Sequence, residues 1–301
     1  MTRSIKLGEY TIGLKHTDKV LFPSDDITKG DLVEYYIKIA DVMLPYLRQR
    51  PITLHRFPEG IDEDGFYQQE ASDYFPDWIQ QVSLDRIKGG SINHIVCNNS
   101  AMLAYIANLA CITPHAWLSR ADRPNHPDML VFDLDPPDND FEPVRKSAEI
   151  IRDTLIELDL EPFVKTTGSR GLHIVVPLDR GSDFEQVRRF TQEAATIMAK
   201  REPHMMTSEQ RKEKRKGRVF IDYLRNSYGQ TTVAPYAIRA KPGAPVATPI
   251  EWDELKSKHL TSQSYTMRNI FRRLARKKDP WDRIWNKACS LHKAIDRLSQ
   301  I

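Results

Sequence analysis

Cysteine is scarce in this 301-residue chain, and the three that occur, Cys97, Cys111 and Cys289, are scattered and form no Cys-x-x-Cys pair. An odd, unpaired set of thiols fits a reducing cytoplasm and argues against a zinc site. Long apolar runs are missing too. The N-terminal MTRSIKLGEYTIGLK has no apolar core of the kind a signal peptide needs, and no stretch approaches a membrane span. Neither an internal repeat nor a low-complexity segment is visible. What remains, 40% hydrophobic and 28% charged residues, is the composition of a cytoplasmic globular protein of one large domain or two small ones, with no membrane partner.

The net charge of +3 is too small to identify a partner, but its distribution is uneven. RKEKRKGR (211–218) holds six basic residues and one Glu, and RNIFRRLARKK (268–278) interleaves Arg and Lys with apolar positions. Either stretch alone reads as a solvated helix face. Two in one chain favour a polyanion partner.

KGDLVEYYIKIADVMLPYL (29–47) places Leu32, Tyr36, Ile39 and Met43 at helical spacing, with Pro45 marking the end. RPITLHRFPEG (50–60) and GFYQQ (65–69) predict short strands joined by turns, and AMLAYIANLACI (101–112) predicts a buried helix. From residue 130 the pattern sharpens. LVFDLD (130–135) is a strand, VRKSAEIIRDTLIEL (144–158) an amphipathic helix, PFVKTT (162–167) and LHIVVPL (172–178) strands around the turn GSRG, FEQVRRFTQEAATIMAK (184–200) a second helix and RVFIDYL (218–224) a fourth strand. Strand, helix, strand, strand, helix, strand is the split βαβ, or ferredoxin-like, unit. That topology puts LVFDLD in the centre, with RVFIDYL on one side and LHIVVPL on the other.

LVFDLDPP (130–137) seats Asp133 and Asp135 in an apolar strand, on the same face because side chains alternate. Two like charges on a sheet repel and resist burial. Alone, Asp135-Pro136 reads as an ordinary strand-ending turn. The topology, however, brings Asp222 beside the pair and His173 to the other flank. Three carboxylates on adjacent strands are reconciled by divalent cations, and an all-oxygen donor set favours Mg2+ or Mn2+ over zinc. Two such ions suit phosphoryl transfer. TTGSRGLH (166–173) supplies the complement: two glycines for a tight turn, and Thr167, Ser169, Arg170 and His173 as donors to phosphate oxygens. A plain hairpin turn with a core histidine is the competing reading of that stretch.

LVFDLDP, TTGSRGLHIVVP and RVFIDYLRNSYGQTTVAPYAIRAKPGAPV together resemble the polymerase domain of bacterial ATP-dependent DNA ligase D and its stand-alone relatives, members of the archaeo-eukaryotic primase superfamily. The resemblance runs from TDKVLFP (17–23) through RPITLHRFPEG and ANLACITPHAWLSRADRPNHPDML to DPW (279–281). It implies an α+β primase-polymerase fold over 1–301, with a ferredoxin-like, RRM-like palm (about 116–245) packed against an N-terminal α/β lobe (about 1–115) and followed by a helical segment (about 250–301). It implies a template-directed nucleotidyltransferase that fills short gaps during non-homologous end joining and prefers ribonucleotides. The implied partners are DNA ends and 5′-phosphorylated gaps, nucleoside triphosphates, a Ku-type end-binding protein and a DNA ligase, on the nucleoid.

Residue by residue, the resemblance assigns two metal ions to Asp133, Asp135 and Asp222, and the incoming triphosphate to Thr167, Ser169, Arg170 and His173 with Arg225 and Arg239 as further clamps. His115 would lie near the nucleotide sugar, and Phe66 and Tyr67 would stack on the template strand. Lys19 and Lys29 would hold a downstream 5′-phosphate, aided by His16 and by free amides where Lys29 opens a helix. Three positions depart from the family's usual residues: Thr167 for Ser, His16 for Asn and Tyr67 for Phe. No Lys-x-Asp-Gly ligase motif is present, so the resemblance implies that sealing comes from another polypeptide or part. Two rivals stay open on the residues alone. A two-metal nuclease could use the same carboxylates but has no need of a triphosphate clamp. A non-catalytic RNA-binding module shares the topology but puts aromatics on its central strands.

Overall fold

The computed structural model describes residues 3–138 and 140–300. They divide into two compact units: Met1–Asp122, Thr231–Ala247 and Tyr265–Arg273 form the first, and Arg123–Gln230, Thr248–Ser264 and Leu274–Ile301 the second.

The first unit opens with an antiparallel hairpin, β1 (Arg3–Leu7) and β2 (Tyr10–Leu14), and a small pair, β3 (Val20–Phe22) and β4 (Ile27–Thr28). Helix α1 (Lys29–Lys38) starts at a capping box, in which the Thr28 hydroxyl accepts from the Asp31 N–H at 3.2 Å and the Asp31 carboxylate from the Thr28 N–H at 2.8 Å. Next come α2 (Ala40–Met43), β5 (Pro51–Arg56), β6 (Phe66–Gln68), β7 (Gln81–Asp85), β8 (Ser91–Val96), α3 (Ser100–Asn108) and β9 (Cys111–Trp117).

The sequence predicts one helix over 29–47. The structure interrupts it at Ile39 and tightens its end into a 3-10 turn at Leu44–Tyr46, because Pro45 supplies no N–H to continue it. The buried stripe survives the break: Leu32, Tyr36, Ile39 and Met43 are each 0% exposed. The helix predicted over 101–112 also ends early. Ala110, in the left-handed region at φ 58°, reverses the chain, and Cys111 begins β9, whose pairing with β5 in mid-sheet outweighs local helical preference.

The second unit begins with β10 (Met129–Asp135), α4 (Glu142–Glu157), β11 (Phe163–Thr166), β12 (Leu172–Pro177), α5 (Phe184–Arg201), β13 (Met206–Thr207) and β14 (Val219–Asp222). β15 (Thr231–Val233) returns to the first unit and completes its sheet, ordered β15-β9-β5-β8-β7 with β6 also on β5; β16 (Pro249–Ile250) returns to the second. The short helices α6 (Ile270–Arg276) and α7 (His292–Leu298) follow.

The second unit's sheet runs β13-β14-β10-β12-β11-β16, antiparallel except for β13 on β14. The predicted order holds, with β10 between β14 and β12; β13 and β16 extend the sheet at its edges. One face carries Phe132, Leu134, Val164, Ile174 and Ile221, all 0% exposed, and α4 and α5 pack on the sheet. Val144, Ala148, Ile151 and Leu155 form the apolar stripe of α4. The residues of chemical interest lie in the alternate positions, on the opposite face.

Candidate active site

Antiparallel register sets a single row across the second unit's sheet. Asp222 of β14 is opposite Asp133 of β10, Asp133 is opposite His173 of β12, and His173 is opposite Lys165 of β11. Residues paired this way project to the same side, and Asp135, two positions after Asp133, shares that side. His173 Nε2 stands 3.4 Å from Asp133 Oδ1, Arg225 Nε lies 3.9 Å from Asp222 Oδ2, and Asp222 Oδ1 accepts the Leu224 N–H at 2.8 Å.

The carboxylates are electrostatically distinct. Burial opposes ionisation of Asp133, but His173, Arg225 and Lys165 outweigh it and hold the carboxyl below its usual range. Burial and then the neighbouring Asp133 charge push Asp135 up to about 6, against the pull of Arg170. Asp222 is raised as well, by burial first, with the Leu224 amide opposing and Asp133 adding to it. Mutual repulsion among carboxylates that are buried or half-buried is what a divalent cation relieves, and the donors are all oxygen, so the set fits Mg2+ or Mn2+. Among the described residues no group of three His, Cys, Asp or Glu side chains is spaced to hold an ion as it stands. The fit is one of donor chemistry.

The turn between β11 and β12 rests directly on this row. A Cβ on Gly171 would stand 1.7 Å from the carbonyl oxygen of Leu134, the residue between Asp133 and Asp135, so only glycine lets the turn lie against β10. Gly168 takes the left-handed conformation at φ 64°. Thr167 is turned inward: its Oγ1 accepts from the Ser169 and Gly171 amides, both at 3.2 Å, and donates to the Gly171 carbonyl at 3.0 Å. Its hydroxyl therefore shapes the turn, while the Arg170 guanidinium is left exposed.

The remaining candidates belong to the first unit. On its sheet, His115 of β9 is opposite Thr53 of β5 and Val233 of β15. Tyr67 of β6 stacks on His55 with centroids 4.0 Å apart and planes 12° apart, and meets His115 edge-on at 5.6 Å. Burial first, then the Arg239 charge, lower His55 to about 4, so the ring beneath Tyr67 is neutral. Phe66 and Tyr67 are 46% and 60% exposed, but adjacent strand residues face opposite ways: Phe66 sits under Arg56 at 5.3 Å while Tyr67 covers His55.

Lys19 and Lys29 are close enough for burial and then the Lys19 charge to lower Lys29. His16 joins them through a turn closed by the Lys19 N–H on its carbonyl at 3.2 Å. The expected free amides at the start of α1 are not there. Lys29 N donates to Lys19 O and Gly30 N to Thr17 O, each at 2.8 Å, and Asp31 N is capped by Thr28. Any anion here would meet side-chain ammonium groups, with Lys19 already paired to Glu59 at 2.6 Å.

Comparison with known families decides the affiliation. Residues 28–281 match the family model described as LigD, primase-polymerase domain. The chain belongs to this family. It is 32% identical over 286 residues to the multifunctional non-homologous end joining DNA repair protein LigD of Mycobacterium tuberculosis, covering 92% of this chain and 37% of that protein. It is 29% identical over 266 residues to the bifunctional non-homologous end joining protein LigD of Bacillus subtilis, covering 88% of this chain and 42% of that one. The chain thus spans about two fifths of the length of these curated relatives. Among solved structures, the polymerase domain of Mycobacterium tuberculosis ligase D in complex with DNA superposes with a TM-score of 0.87 at 30% identity, covering 92% of this chain and 99% of that one.

Within this primase-polymerase domain, sequence reasoning passes over two charged residues of the second unit. Lys165, 2% exposed, completes the row beside His173; its signal is a lysine inside an apolar strand. Arg215 lies in the basic run, anchored by the Glu209 and Gln210 carbonyls at 3.3 and 3.0 Å and placed 3.7 Å over the Phe220 ring. Its charge acts on both Asp135 and Asp222. Nothing in RKEKRKGR singles it out.

Proposed function

We propose that this chain is a template-directed nucleotidyltransferase that fills short gaps at DNA double-strand breaks during end joining, preferring ribonucleotides and working with a Ku-type end-binding protein and a DNA ligase. The observation that carries the reading is the row Asp222–Asp133–His173–Lys165 with the 167–171 turn seated on Leu134. Asp133, Asp135 and Asp222 would hold two Mn2+ or Mg2+ ions, which when bound polarise the α-phosphate and stabilise the leaving oxygen. In the reaction the primer 3′-hydroxyl gives up its proton to solvent, its oxygen forms a bond to the α-phosphorus, and the bond to the leaving pyrophosphate breaks.

The chain's own residues do the positioning. His173 keeps the Asp133 carboxylate oriented. Arg170 and Arg225, with Ser169, supply charge and donors to the triphosphate, and Arg215 holds further positive charge near the carboxylates. On the first unit, His115 and Arg239 serve the nucleotide, the exposed rings of Phe66 and Tyr67 offer template bases a stacking surface on opposite sides of β6, and His16, Lys19 and Lys29 meet the downstream 5′-phosphate. A nuclease would not require this concentration of arginine around its carboxylates, and an RNA-stacking sheet would not present charged side chains across its central strands. The test is a 5′-labelled primer on a gapped duplex with Mn2+ and the four ribonucleoside triphosphates. Lengthening of the primer supports the reading; shortening, with no product longer than the primer, assigns a nuclease instead.

A further inference from the structure

The turn that carries Thr167 and Arg170 is gripped by a segment more than ninety residues further along the chain. Residues 261–264, Thr-Ser-Gln-Ser, fold into a small turn of their own, in which the Thr261 N–H donates to Ser264 Oγ at 2.8 Å. That places Ser262 and Gln263 on the 167–171 turn. Ser262 is 3% exposed; its hydroxyl donates to the Gly171 carbonyl at 2.9 Å, and its oxygen lies 3.1 Å from Thr167 Oγ1. Gln263 is exposed, yet its amide donates to the Ser169 carbonyl at 2.7 Å.

The turn is therefore held from two directions. On one side Gly171 lies against the Leu134 carbonyl with no room for a Cβ, and on the other Ser262 and Gln263 fix the carbonyls of residues 171 and 169. All three contacts are to backbone, so they set the path of the loop and through it the direction of Ser169 and Arg170. An exposed glutamine whose amide closes on a distant carbonyl loses side-chain freedom, which is repaid where that carbonyl must be held still. Sequence alone gives no sign of this, because Ser and Gln in a polar turn read as ordinary loop residues.

We infer that Ser262 and Gln263 are positioning residues for the phosphates of the incoming nucleotide, acting through the 167–171 turn. This rests on the nucleotidyltransferase reading. The bracing and that reading separate experimentally. Hydrogen exchange without nucleotide or DNA reports on the brace: in Ser262→Ala and Gln263→Leu the amides of Ser169 and Gly171, bonded to Thr167 Oγ1, should exchange about tenfold faster than in wild type. Single-turnover incorporation of UTP opposite adenine on saturating gapped DNA reports on the role. Apparent UTP affinity should fall by about three- to tenfold, one lost hydrogen bond's worth, while the maximal rate changes by less than about threefold. Gapped-DNA affinity and the melting temperature should stay near wild type.

Faster exchange with unchanged UTP affinity in both variants overturns the inference and leaves the reading standing. Unchanged exchange, or a lowered melting temperature with DNA affinity and maximal rate falling together, reduces the contacts to loop packing and also overturns it. A wild-type protein that neither binds nor incorporates UTP removes the reading, and the inference with it.

Discussion

Replacing Gly171 by alanine tests how tightly the 167–171 turn is locked to β10. The added Cβ would start 1.7 Å from the Leu134 oxygen, and because real Cβ contacts essentially never fall below 3.0 Å, the turn and β10 must part by at least 1.3 Å. That oxygen and the Leu134 carbonyl carbon, 2.9 Å from the same Cβ, are both backbone, so no side-chain rotation relieves the clash. Overpacking of this kind costs about 1–3 kcal/mol of stability, or a few degrees in melting temperature for a protein of this size. The catalytic cost is larger. A misplacement of about 1 Å between substrate-positioning and reacting groups lowers rate by on the order of 100-fold, equivalent to about 2.7 kcal/mol. Gly171→Ala should therefore lose about 100-fold in single-turnover extension while binding gapped DNA nearly as well as wild type, since phosphate contacts elsewhere supply most of that affinity. A soluble variant that keeps more than about a third of wild-type extension refutes the claim that the turn's seat on Leu134 sets the active geometry.

Asp133→Ala and Asp222→Ala should each abolish nucleotide addition with DNA binding largely intact; extension above a few per cent of wild type by either would remove that carboxylate from the site. Wild type should bind a 5′-phosphorylated gap more tightly than its unphosphorylated counterpart, and Lys19→Ala/Lys29→Ala should lose that preference while keeping its weaker binding to plain duplex. A retained preference would place the 5′-phosphate elsewhere. His94, 3% exposed, is lowered to about 4 chiefly by burial. Above pH 6.5 it is neutral folded and unfolded; as pH falls from 6.5 towards 4 the unfolded chain takes up the proton first, so up to about 3 kcal/mol of stability is lost. Urea midpoints of His94→Phe across that range should fall less steeply than those of wild type, and parallel profiles would contradict this.

The second unit was legible because its signals are local and periodic. Alternation in LVFDLD and LHIVVPL, the apolar stripe of α4 and the strand-helix order fix the topology, and the topology alone brings Asp222 and His173 to either side of Asp133. The first unit was less legible. The helix predicted over 29–47 ends at Pro45 as expected but breaks at Ile39, and the one predicted over 101–112 stops early because the pairing of β9 overrides a pattern that remains correct as a burial pattern. Hydrogen bonding was the least legible. The inward turn of the Thr167 hydroxyl and the capping of the α1 amides by Lys19 and Thr17 depend on residues whose approach no spacing rule encodes. The same holds for Ser262, which meets Gly171 across 91 residues.

The most direct test of the account is single-nucleotide incorporation into a one-nucleotide gap carrying a 5′-phosphate, run with Mn2+ opposite each of the four template bases, with ribo- and deoxynucleotides compared at equal concentration. The account predicts that the complementary nucleotide is added in every case, that the ribonucleotide is added faster than the deoxynucleotide, and that Asp133→Ala adds neither. Addition that ignores the template base, or activity that survives in Asp133→Ala, would contradict it.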